Sequence, residues 1–192
     1  MDKLVDLIKS HPEQINALAA VCALFVSFLS ILLTVYTLWL QRRHNFKSLT
    51  PIASITVGDY EDNLEVRLRN SGIGPLIIER FTASDGNQER DDIISWMPSL
   101  PEETYWSAFT ANIDGRCIPP NQDVLLIQLN GDANDGKFAL FRDEVRHALS
   151  RLTIKVEYRD IYDRKMPIKQ RDLKWFARHL PEQDMLTSQK KA

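Results

Sequence analysis

From Ile15 to Leu40 the chain carries no Asp, Glu, Lys, Arg, His, Pro or Gly. Those 26 residues would extend about 39 Å as a helix at about 1.5 Å per residue. A bilayer's hydrocarbon core is about 30 Å thick, so the run can span it with some tilt. A secretory signal would have an apolar region of about 7–15 residues ending at a small-residue cleavage site. Here the run is longer and ends in Thr37-Leu38-Trp39-Leu40-Gln41-Arg42-Arg43. The expectation is a retained, single membrane-spanning helix, with Tyr36 and Trp39 at the interface. The chain's overall 44% hydrophobic content conceals this, because the apolar residues are concentrated near the N-terminus.

Charge flanking the run suggests its orientation. Lys3 and Lys9 precede it among Asp2, Asp6 and Glu13, whereas Arg42, Arg43 and Lys47 follow it with no acid before Asp59. Positive flanks stay cytoplasmic, so Arg42, Arg43 and Lys47 predict an N-terminus outside and a cytoplasmic C-terminal part. Cys22 falls in the span and Cys117 beyond it, so they cannot pair. An isolated Cys117 suits a reducing compartment.

Within the run, Asn16, Ala20, Ala23, Ser27, Ser30, Thr34, Thr37 and Gln41 recur at alternating steps of four and three. The intervening Leu18, Leu24, Phe25, Phe28, Leu32, Leu33 and Leu38 would face lipid. Small residues let helices approach closely, and a repeat near 3.5 favours a left-handed pair or bundle. The stripe predicts self-association or pairing with a partner helix. The plainer alternative is that Ser and Thr bond back to their own helix.

Residues 1–14 read as an amphipathic segment able to lie on a membrane surface, 15–40 as the span, 41–50 as a basic juxtamembrane linker, 51–180 as one soluble domain and 181–192 as a polar tail. Ser10-His11-Pro12-Glu13 fits a capping box, so the long helix should begin there and continue to about Phe46. In the domain, Leu64, Val66 and Leu68 alternate with Glu65, Arg67 and Arg69. Leu152, Ile154, Val156 and Tyr158 alternate in the same way, with the period of a half-buried strand. Ile52–Val57, Leu76–Phe81 and Val124–Leu129 read as further strands between turn signals such as Asp85-Gly86-Asn87 and Asn130-Gly131-Asp132. Phe138, Phe141, Val145, Ala148 and Leu149 recur at helical spacing between Lys137 and Ser150. Residues 87–107 read as a long connection and 173–180 as a last short helix. The expected class is mainly β: one transmembrane helix, then an antiparallel β-sandwich with one crossover helix.

Asn70-Ser71-Gly72-Ile73-Gly74-Pro75, followed by Leu76-Ile77-Ile78, resembles the N-x-G-x-G-P element of small bacterial membrane proteins of unknown function. Val156-Glu157-Tyr158-Arg159-Asp160-Ile161-Tyr162-Asp163 resembles their late strand, E-Y-x-D-x-x-G, with Asp163 where Gly is common. The resemblance implies an immunoglobulin-like domain behind one or two N-terminal helices in a bacterial inner membrane, and it implies no reaction. The residues themselves support a structural turn: Gly72 and Gly74 permit unusual backbone angles, Pro75 fixes φ, and Asn70 bonds nearby backbone. A phosphate cradle would need a helix or a Lys-Ser/Thr after the last Gly, and Pro with three aliphatic residues follows instead.

Chemistry-bearing motifs are sparse. His11, His44, His147 and His179 lack H-x-x-x-H spacing, Cys117 lacks a CxxC partner, and no G-x-S-x-G occurs. Asn130–Gly136 fits no register of the calcium-loop pattern. No metal, cofactor or catalytic residue is therefore expected. Residues 51–141 hold six Lys/Arg against fifteen Asp/Glu, and residues 142–192 thirteen against eight. The basic end could meet anionic lipid, but local pairing of outward charges is the simpler reading. No nucleic-acid-binding signature is present, so that class of partner is not expected. The leading expectation is a non-enzymatic membrane protein that displays its domain to an unidentified cytoplasmic protein. A bilayer-perturbing effector of a defence or toxin system is the alternative, and an enzyme with a composite site is the third.

Overall fold

A computed structural model describes residues 12–100, 105–132 and 134–179. The chain divides into two compact units, Met1–Lys47 and Ser48–Ala192. The expected amphipathic segment lies outside the described residues up to residue 11, and the expected tail at 181–192 lies outside them entirely.

The described residues of the first unit all lie in helix α1, Pro12–Ser48, of 37 residues. Pro12 at its start and Glu13 in its first turn suit a helix N-terminus, where a missing N–H costs nothing and negative charge meets the helix dipole. No Gly or Pro interrupts it thereafter. Residues 41–48, expected to link helix and domain, continue α1. The stretch Glu13–Phe46 contains an 18-residue window of mean hydropathy 2.6 and is long and apolar enough to cross a membrane. Its large apolar side chains are exposed, as at Leu24, Phe25, Phe28, Ile31 and Val35.

The second unit is built from two open antiparallel sheets. Strands β1 (Ala53–Asp59), β2 (Asn63–Asn70), β3 (Leu76–Ser84), β4 (Glu89–Arg90), β5 (Ala108–Phe109), β6 (Cys117–Ile118), β7 (Asp123–Asn130), β8 (Thr153–Arg159) and β9 (Lys169–Asp172) are joined in part by helix α2 (Gly136–Ser150). One sheet has the order β1-β2-β7-β5, and the other β4-β3-β8-β9 with β6 also on β3. The alternation read from sequence is the burial pattern. Leu64, Val66 and Leu68 are fully enclosed, as are Ile154 and Val156. Both sheets contribute to one hydrophobic core, which Phe138, Phe141, Val145 and Leu149 of α2 complete.

α2 connects β7 of one sheet to β8 of the other, as a crossover helix should. Asp135 caps it by accepting from the Lys137 N–H at 2.9 Å. The connection at 87–107 carries β4 and a 3-10 turn at Ile94–Trp96. The expected last helix is a 3-10 segment, Lys174–His179, that follows the buried Leu173 and itself buries Phe176.

Candidate functional site

At about 100° per residue, Asn16, Ala20, Ala23, Ser27, Ser30, Thr34, Thr37 and Gln41 fall within an arc of about 100° on α1. Three of the hydroxyls are already used inside the helix. Ser30 donates to the Val26 carbonyl at 2.8 Å, Thr34 to Ser30 at 2.8 Å and Thr37 to Thr34 at 2.9 Å. Back-bonding hides their polarity and leaves a shallow, small-residue stripe. What this stripe offers a neighbouring helix is close approach more than hydrogen bonds. At the C-terminal end of the apolar run the Tyr36 and Trp39 rings stack with centroids 6.5 Å apart. The Arg43 guanidinium lies 5.6 Å from the Trp39 ring centre, and Arg42 is exposed. The side chain of Lys47 lies outside the described set.

The turn at Asn70, Gly72, Gly74 and Pro75 is the most tightly built polar feature of the domain. Asn70 is fully buried. Its Nδ2 donates to the carbonyls of Gly74 at 2.8 Å and Ile118 at 3.0 Å. Its Oδ1 accepts from the N–H groups of Gly72 at 3.0 Å and Ile52 at 3.3 Å. One side chain thus ties together three chain segments, and the Ser71 N–H adds a bond to the Ile52 carbonyl at 2.8 Å.

The glycines act differently from the sequence expectation. Positive φ at glycine is confined, among the described residues, to Gly86 and Gly115. Gly72 and Gly74 are needed for space. A Cβ on Gly72 would stand 2.4 Å from the Thr50 carbonyl oxygen, and one on Gly74 1.9 Å from that of Leu49. The element therefore clasps residues 49–52, the chain's approach to β1.

A second clasp shapes the β8–β9 turn. The buried carboxylate of Asp160 accepts from the N–H groups of Tyr162 at 2.8 Å and Arg164 at 2.9 Å, and from Arg164 Nε at 2.7 Å. Burial alone would raise its pKa. The Arg164 backbone and guanidinium and the Tyr162 N–H outweigh burial and hold it below the ordinary aspartate value. Asp163 takes φ +59°, the left-handed conformation that glycine adopts most easily.

A third buried polar group was not visible in the sequence. Arg146 on α2 places Nη2 2.7 Å from Oδ1 of Asp59, whose side chain is fully enclosed, and Nη1 2.7 Å from Asp143. Asp59 and Arg146 stand 87 residues apart, and neither belongs to a motif.

Charge in the C-terminal third is largely paired locally. Lys155 meets Glu157, Arg159 meets Asp163, Arg164 meets Asp160 and Lys174 meets Asp172. Arg171 donates to the Ile55 carbonyl, bridging the outer strands β9 and β1 of the two sheets. Cys22 and Cys117 are free and exposed. No group of three His, Cys, Asp or Glu could hold a metal ion among the described residues. Asp132 and Asp135 are engaged locally, Asp132 accepting from the Asn134 N–H and Asp135 capping α2.

Among the described residues, two open depressions on the domain surface are notable. One, of about 610 Å³, is lined by Arg80, Thr82, Glu89, Arg90, Asp91 and Asp92 among others. The second, of about 560 Å³, is lined by Tyr60, Asp62, Asn63, Gln128, Asn130 and Gly131. Neither gathers the buried polar groups described above, each of which is spent on holding a loop or a helix. No protein-family model matches this chain, and neither a curated protein nor a solved structure matches it.

Proposed function

We propose that this chain is a membrane-anchored interaction protein and not an enzyme. α1 crosses the bilayer once and the β domain presents a surface to a protein partner. The single observation that carries this reading is α1 itself, whose most apolar 18-residue window has a mean hydropathy of 2.6 and none of its residues buried. Large apolar side chains left exposed on a helix favour lipid over water by about 25 cal/mol per Å².

The domain belongs, on this reading, to the immunoglobulin-like sandwiches. Taking β1, β2, β7 and β5 as strands A, B, E and D, and β3, β8 and β9 as C, F and G, the orders A-B-E-D and C-F-G follow. α2 then occupies the E–F crossover, and the inter-sheet disulfide of antibody domains has no counterpart, since both cysteines are free. The non-enzymatic assignment is supported by the use made of Asn70, Asp160 and the Asp59–Arg146 pair, which are saturated by partners within the fold. α1 self-associates along its small-residue stripe or pairs with another helix there.

The location proposed is a bacterial inner membrane with the N-terminus outside and the β domain in the cytoplasm. Arg42, Arg43 and Lys47 after the span support that orientation. A fusion of alkaline phosphatase after Ala192, which is active only outside the cytoplasm, should be inactive and should stay with the membrane fraction. Strong phosphatase activity would reverse the orientation, and recovery in the soluble fraction would remove the anchor.

A further inference from the structure

One end of the β domain exposes apolar side chains from three separate stretches. Ile52 is 54% exposed, Ile73 70%, Ile161 55% and Tyr162 44%. Backbone geometry brings these stretches together. Ile52 accepts from the Ser71 N–H, and Gly72 and Gly74, on either side of Ile73, press against residues 49–52. Ile77, at the start of β3, pairs with Arg159 at the end of β8, so the turn 160–165 leaves the sheet at the same end. The Tyr158 hydroxyl accepts from the Ala53 N–H at 3.4 Å, tying β8 to the start of β1.

These side chains are held outward by built structure. Ile73 sits inside the Asn70 clasp, and Ile161 and Tyr162 sit inside the turn organised by Asp160. Charge at this end favours an anionic surface. Residues 159–169 contain Arg159, Arg164, Lys165 and Lys169 against Asp160 and Asp163. Both acids are engaged by Arg159 and Arg164, while Lys165 is 82% exposed and 3.9 Å from Glu79.

Covalent reach supplies the occupant. Leu49, at this end, directly follows Ser48, the last residue of α1. Between Leu40, where the apolar run stops, and Leu49 lie eight helical residues, at most about 12 Å. The headgroup layer adds about 5–8 Å beyond the hydrocarbon, so this end cannot stray far from the lipid headgroups. We infer that Ile52, Ile73, Ile161 and Tyr162, with the basic side chains of the 159–169 hairpin, form a surface that rests on an anionic bilayer face. The apolar tips enter the interfacial layer as amphipathic and aromatic groups do, and the cations meet lipid phosphates. This inference rests on the reading of α1 as a membrane span.

The test uses the full chain with Cys22→Ala and Cys117→Ser, reconstituted in vesicles of phosphatidylcholine and phosphatidylglycerol. Single cysteines replace Ile73, Ile161, Asn87 or Leu32 and carry an environment-sensitive fluorophore. Asn87 lies beyond the far end of the nine-residue strand β3, about 30 Å from its start at about 3.3 Å per residue. Headgroup spin-labelled lipid should quench positions 73 and 161 several-fold more than position 87. The difference should shrink in phosphatidylcholine alone. Spin label placed deep in the acyl chains should quench position 32. If position 32 is quenched but 73 and 161 behave like 87, the span stands and the surface inference falls. If position 32 is not quenched, both fall. Shielding of 73 and 161 from an aqueous quencher without lipid quenching would mean that protein covers this end, which also overturns the inference. Equal quenching without phosphatidylglycerol would overturn the anionic preference.

Discussion

α1 and the β domain solve the backbone hydrogen-bonding problem in opposite ways. In α1 every bond is local, between residues four apart, so the helix can be formed from composition alone. In the β domain each strand depends on distant partners: Leu64 pairs with Leu129 and Ile78 with Tyr158. The polar side chains follow the same division. Thr34 bonds to Ser30 within its own helix, whereas Asn70 reaches Ile52 and Ile118. A local solution tolerates single changes because little else depends on each residue. A long-range one concentrates the fold on a few side chains.

The sharpest way to break this comparison is to remove one polar side chain from each region. Asn70→Ala would orphan the carbonyls of Gly74 and Ile118 and the N–H groups of Gly72 and Ile52 inside the domain. Each buried unsatisfied group costs about 1–3 kcal/mol, and a domain's whole stability is about 5–15 kcal/mol. Thermal unfolding of the full chain in detergent, followed by Trp106 and Trp175 fluorescence, should show the domain severely destabilised. Thr34→Ala removes a single back-bond and should leave the transition within about 0.5 kcal/mol of the parent. Comparable losses from the two changes would show that Asn70 is not a keystone.

Sequence legibility divides along the same line. β2 and β8 were readable because each alternates over enough residues to commit one face to the core. α2 was readable because Phe138, Phe141, Val145 and Leu149 keep helical spacing. β4, β5 and β6 have two residues each, too few to carry any period. β9 reads Lys169-Gln170-Arg171-Asp172 and is wholly polar. It is an outer strand fixed by its pairing with β8, and its charges guard an otherwise open edge. The motif around Asn70 is legible as a turn, but its glycines on sequence alone suggest unusual angles. Their real constraint is the approach of residues 49–52, a contact that local patterning does not encode. The Asp59–Arg146 pair left no trace in either neighbourhood, because a lone Asp and a lone Arg are ordinary until the fold joins them.

A smaller effect, visible through its pH dependence, is expected at Asp160. Its folded pKa lies below the ordinary aspartate value of about 3.9. The unfolded chain therefore takes up this proton at a higher pH than the folded one. The carboxylate's contribution is complete above the unfolded value and is lost as pH falls through the folded one. Asp160→Asn keeps an acceptor oxygen for the turn but loses the ionic contact with Arg164. It should cost about 1–3 kcal/mol near neutral pH, and the difference from the parent should narrow below about pH 4. Denaturant titrations at pH 7, 5 and 3 would measure this. A gap that stays constant across that range would mean that the charge at Asp160 contributes nothing.

The smallest energetic effects belong to α1, where the informative readout is geometry. Ser30, Thr34 and Thr37 already satisfy their hydroxyls, and interhelical hydrogen bonds in membranes average only about 0.6 kcal/mol. Removing one hydroxyl should therefore change association little. Bulk is different, because small residues set how closely two backbones can approach. Ala23→Leu and Ser30→Leu keep the span apolar, so insertion and the domain's melting temperature should be unchanged. Leu24→Ala and Leu32→Ala act as controls outside the stripe. Single cysteines placed along the helix, with Cys22 replaced, should crosslink in membranes every three or four residues in register with Ala23, Ser27, Ser30 and Thr34. That pattern should fade in both bulky variants and persist in both controls. A crosslinking maximum at Leu24 and Leu32, or none with a helical period, would make the stripe a coincidence of composition. α1 would then be an anchor whose only message is its hydrophobic length, and the specificity of the molecule would rest in the β domain alone.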